Sequence, residues 1–80
     1  MTKTIKLKTP IEVNGEKIEK MTMRPPKVRD RLVAEKTPGG PADKEVTFIA
    51  NLCSVSQETV MELDLADYVQ LQEAVNHFLS

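Results

Sequence analysis

The chain has 80 residues, 40% hydrophobic, 29% charged and 4% aromatic, with one Cys, one His and a formal net charge of −1. Such a length makes one small domain that buries only about 60% of the surface its unfolded chain exposes, over an aliphatic, Met-filled core. One Cys and one His exclude an internal disulfide and a transition-metal cluster, and no apolar run approaches the ~20 residues of a membrane span. Met1-Thr-Lys-Thr4 lacks the apolar region of a signal peptide, so the expected compartment is a reducing cytoplasm.

Ile5 and Leu7 alternate with Lys6 and Lys8, the period-2 pattern of a half-buried strand. Ile11-Glu-Val13 and Glu16-Lys-Ile18 flank Asn14-Gly15, a strong hairpin signal, because a type I′ turn needs positive φ at both central residues. Pairing across that turn places Ile11 opposite Ile18. Met21 and Met23 fall on the other parity from Ile18, which predicts a bulge or bend near Glu19-Lys20. Pro10 belongs at a sheet edge or at a break between strands. Residues 3–24 therefore read as an antiparallel β-hairpin or three-stranded meander.

Arg24-Pro25-Pro26 ends the β unit, and a weakly patterned helix follows from Pro26 or Lys27 to about Lys36, with Val28, Leu32 and Val33 its clear apolar residues. Thr37-Pro-Gly-Gly-Pro41 is a loop. Asp43 is expected to cap a second helix over residues 44–54, and Ser56 to start a short helical turn through Met61. Asp64 starts the last helix, with Asp67 in capping-box position. Residues 26–79 thus hold three to four short helices, and the fold class is α+β within a single domain, residues 1–80.

In the last helix Phe78, Leu71, Val75, Tyr68, Leu79, Leu65 and Val69 occupy about half the circumference, wider than the stripe of a little over ~100° that a surface helix uses. Something must cover the excess, and another protein would serve.

All 11 Lys and Arg lie between Lys3 and Lys44 among six carboxylates, which leaves that segment at +5. The other six carboxylates follow without a single cation, at −6. Two electrostatically distinct surfaces suit a charged partner or head-to-tail self-association. The cluster Arg24, Lys27, Arg29 and Arg31 ahead of several short helices also fits a small helix-turn-helix-like DNA-binding regulator. Against that reading, the sequence pI is about 5.8 and the segment after Lys44 has no cation to neutralise phosphate.

Catalysis needs converging polar groups. His77 sits on the last turn of the final helix, where it complements the helix dipole, and Cys53 lies on an apolar face as a small hydrophobe. Asp64 and Asp67 have the spacing of a cap and its partner rather than of a catalytic dyad. Gly39-Gly40 lacks the Lys and the preceding strand of a phosphate loop. The expectation is a non-enzymatic protein without cofactor, metal or small-molecule substrate.

The order of motifs resembles a known family. Leu7 and Pro10 are followed by Ile11…Asn14-Gly15-Glu16…Ile18, then Met23-Arg24-Pro25, Phe48-Ile-Ala-Asn-Leu52, Ser56-Gln-Glu with Val60, and Leu63-Asp-Leu-Ala-Asp-Tyr68…Leu71-Gln…Phe78-Leu79. This is similar to the tail assembly chaperones of Mu-like and P2-like contractile-tailed bacteriophages, over nearly the whole chain. The resemblance implies a protein that coats the tape measure protein in the host cytoplasm until tube subunits polymerise, and that is absent from the mature virion. The tape measure protein is the first expected partner. The tail tube protein and further copies of this chain, as a self-assembling scaffold, are the other candidates, with no nucleic acid and no membrane. Arg24, Pro25, Leu63, Asp64, Asp67 and Phe78 are the family-motif positions, Arg24 and Asp67 as an ion pair or a cap. Leu65, Tyr68, Val69, Gln72 and Leu79 are the candidate contacts, Gln72 because it interrupts the apolar arc.

Overall fold

Asn14 and Gly15 adopt φ of 53° and 79°, as a type I′ turn demands, and they fold strand β1 (Lys3–Val13) back on β2 (Glu16–Met23). These two antiparallel strands are the whole sheet in a computed structural model that describes residues 1–80. Ile11 pairs with Ile18 as expected.

Further along, Lys6 pairs with Lys20, so Leu7–Pro10 on β1 stand opposite Glu19 alone on β2. The irregularity therefore lies across from Glu19-Lys20 rather than in them. Pro10 is its cause: it has no N–H for the ladder, and the surplus chain collects beside it. By absorbing Pro10 the bulge keeps residues 3–13 in one strand, so a two-stranded hairpin forms rather than a three-stranded meander. It also returns Ile5, Leu7, Met21 and Met23 to one buried face.

Four helices follow: α1 (Val28–Glu35), α2 (Pro41–Cys53), α3 (Gln57–Met61) and α4 (Leu65–Leu79). Helix α2 begins at Pro41, three residues earlier than expected. Proline is tolerated in the first turn, so Gly40 becomes the N-cap and Asp43 the third helical residue, its carboxylate accepting the Gly40 N–H at 2.9 Å. Ser56 caps α3 as expected, its Oγ accepting the Thr59 N–H at 3.1 Å.

The buried hairpin face packs on Ile49, Leu52 and Cys53 of α2 and on Leu71 and Ala74 of α4. Helix α4 covers β1, α2 covers β2, and α1 and α3 attach to α2. The body is only 18 Å thick, room for two layers. Every helix over the hairpin consequently keeps an outer side in solvent.

Candidate partner-binding surface

Two buried carboxylates fix the helices that carry the open surfaces. The first is Asp30, in the first turn of α1. It takes the Arg24 guanidinium in a two-pronged pair at 2.8 and 2.6 Å and accepts the Lys27 N–H at 2.8 Å. The Arg24 N–H donates to the Leu52 carbonyl at 3.1 Å, so the pair pins the entry of α1 to the end of α2. The Arg24 guanidinium and the Lys27 N–H hold the Asp30 carboxyl down at about 2, against the opposing pull of burial.

The second is Asp67, fully enclosed. Its oxygens accept the backbone N–H groups of Lys8 at 2.8 Å and Thr9 at 3.0 Å, and the Gln70 amide at 2.7 Å. These backbone donors belong to the bulge, where β2 offers them no carbonyl. Asp67 therefore does not complete a capping box with Asp64, whose side chain makes no cap bond either. A carboxylate with orphaned bulge amides within reach is the better-satisfied group. The Lys8 N–H, with Thr9 and Gln70, pulls the Asp67 carboxyl below its usual range despite burial.

The half-circumference apolar arc of α4 divides three ways. Leu71 and Ala74 enter the core, with Val75 and Phe78 packed against it. Tyr68 and Gln72 turn to α2, where Glu45 Oε1 accepts the Tyr68 hydroxyl at 2.6 Å and the Gln72 amide at 2.8 Å. Burial and then the Glu45 carboxylate push the Tyr68 hydroxyl up. Leu65 and Leu79 are left 75% and 69% exposed, and Val69 is also open. At ~100° per residue these three lie within about 80° of one another on one outward stripe, Leu65 and Val69 at the start of the helix and Leu79 at its end, with the polar Gln72 and Asn76 between them.

A groove of about 470 Å³ runs between α1 and α2, floored by Ala34 and Phe48 and closed at one end by Leu79. Phe48 also lines the smaller groove between α2 and α4, beside Gln72 and Val75. It joins the two clefts, a role its place in an apolar run does not signal. Cys53 is buried, its thiol pushed up to about 11 by desolvation, and stays protonated. His77 is exposed at the end of α4.

The family model for phage tail assembly chaperone proteins, described as E, or 41 or 14, matches residues 4–80. The chain belongs to that family. Its role is in phage tail assembly. No curated protein and no solved structure matches the chain.

Within this tail assembly chaperone the motif positions are structural groups. Arg24 is an ion-pair partner, Pro25 lends its carbonyl to the Arg24 guanidinium at 3.4 Å, and Leu63 and Phe78 pack on the core. Asp64 is the N-cap residue by its backbone, its carbonyl accepting the Asp67 and Tyr68 N–H groups at 3.0 Å each. Asp30→Asn is expected to cost about 2 kcal/mol, because it leaves a half-buried guanidinium with a neutral partner. A urea melt followed by circular dichroism reads that loss as a lower midpoint at unchanged slope.

Acid should act through the same two groups. A carboxyl held below its ordinary value contributes fully above the unfolded pKa, near ~4. The contribution disappears as pH falls through the folded value, about 2 for Asp30. Stability is thus expected to be flat from neutrality to about pH 5 and to fall steeply between about pH 4 and 2. Urea midpoints across that range measure it, and Asp30→Asn should flatten the fall.

Proposed function

We infer that this chaperone is a non-enzymatic binding protein that captures the phage tape measure protein on the outer stripe of α4. The observation that supports the reading is Leu65, Val69 and Leu79 standing in solvent on a helix whose other large apolar residues complete the core. A tape measure protein is long and largely helical, and its apolar surface aggregates if left bare before the tube polymerises. An open stripe on a firmly held helix covers such a surface by helix-against-helix packing. The stripe is narrow, which suits a contact that must be released when tube subunits arrive. Assembly of this kind takes place in the host cytoplasm, and the chaperone is not retained in the virion.

DNA is the weaker partner. The cations cluster on α1 and the hairpin, whereas α3 and α4, where a recognition helix would lie, carry none. Co-expression with the tape measure gene tests the reading. The expected result is tape measure protein in the soluble fraction that co-purifies with the chaperone. An insoluble tape measure protein with an empty pull-down would sink it.

A further inference from the structure

Helix α1 folds against the grain of its sequence. Its buried residues are Asp30 and Ala34, whereas Val28, Leu32 and Val33 all face solvent, Val28 at 78% exposure. The helix is held by the Arg24–Asp30 pair and by Ala34 against α2, and its larger apolar side chains stay at least half exposed. Val28 and Leu32, one turn apart, form a ridge. At ~100° per residue Arg31 lies about 80° to one side of that ridge, with the exposed Glu35 between it and the ridge, and Arg29 about 80° to the other, with Lys36 beyond Leu32. The only ion pair in the chain is Arg24–Asp30, so Arg29, Arg31 and Lys36 make none of their own.

We propose that α1 is a second docking surface, separate from the α4 stripe, and that its occupant is an amphipathic helix of a partner protein edged by carboxylates. Charge complementarity selects this occupant. An apolar ridge flanked by three cations, Arg29, Arg31 and Lys36, against one carboxylate, Glu35, fits an apolar seam edged by Asp or Glu. A phosphate backbone would meet the cations but leave Val28 and Leu32 without a partner. The ridge is short, so the contact is weak and salt-sensitive.

Two synthetic helical peptides with the same Leu seam, one flanked by Glu and the other by Lys, provide the probe. The isotope-labelled full chain is titrated with each while backbone amide resonances are followed. The Glu peptide is expected to shift the amides of residues 28–36 and to weaken roughly tenfold between about 50 and 500 mM NaCl. The Lys peptide should leave them in place. Leu32→Glu, at an exposed site, should abolish the shifts with the rest of the spectrum unchanged. Unmoved α1 amides with the Glu peptide, or equal response to both peptides, would overturn the proposal. So would a stronger α1 response to phosphatidylglycerol vesicles or to duplex DNA than to the peptide, or α1 shifts that follow the chain's own concentration.

Discussion

Asp67→Ala is expected to lose about 3 kcal/mol, the largest effect of any single substitution outside the apolar core. The change removes the acceptor for the Lys8 and Thr9 N–H groups together and opens a void under α4. Each backbone donor left without a partner costs about 1–3 kcal/mol, and the lower end applies because Lys8 and Thr9 lie at the surface, where water can reach the bulge. An 80-residue domain has roughly 4–12 kcal/mol in total, so the loss is a large share of it. Asp67→Asn should be intermediate, since its amide keeps one acceptor oxygen but turns an N–H toward a backbone N–H. Urea melts give the magnitude. Faster hydrogen exchange at Lys8 and Thr9, with exchange at Met21 and Met23 slower than at the bulge, would place the damage there. A variant with the parent's midpoint would show that the bulge does not depend on this carboxylate.

The second large effect should fall on binding and spare the fold. Leu65→Asp combined with Val69→Asp is expected to weaken capture of the tape measure protein at least ~100-fold, because two apolar contacts become charges that must be desolvated. Stability should change by less than about 1 kcal/mol, since both side chains are exposed and an acid at the first residue of α4 favours the helix dipole. Tyr68 makes a poorer test, as its ring packs on the core and its hydroxyl bonds Glu45. Pull-down of co-expressed tape measure protein, normalised to soluble chaperone, reads the effect. Undiminished capture by the double variant would move the contact elsewhere.

Local chemistry was legible in the sequence at the hairpin turn and at the start of α3. Asn14-Gly15 set the turn and the Ile11–Ile18 pair, and Ser56 set the start of α3. The width of the α4 arc announced a face with more than one use. Asp67 was not legible, because its spacing from Asp64 imitates a capping box while its real partners lie 59 and 58 residues away. The available signal was indirect: a proline inside a strand implies neighbouring amides that need an acceptor from another element. Arg24 was visible as a motif position, but Asp30, its partner six residues on, carried no periodic signal. On α1, Val28, Leu32 and Val33 make only a weak apolar pattern. Their alternation with Arg29 and Arg31 was the hint that the helix is held by a carboxylate and shows its apolar side outward.

The most direct measurement is methyl NMR of the labelled chaperone with and without a soluble fragment of the tape measure protein. The Leu65, Val69 and Leu79 methyls should shift on binding, while those of Ile5, Leu7 and Ile49, inside the core, stay in place. No shift on the stripe, or shifts confined to the hairpin, would contradict capture by the outer face of α4.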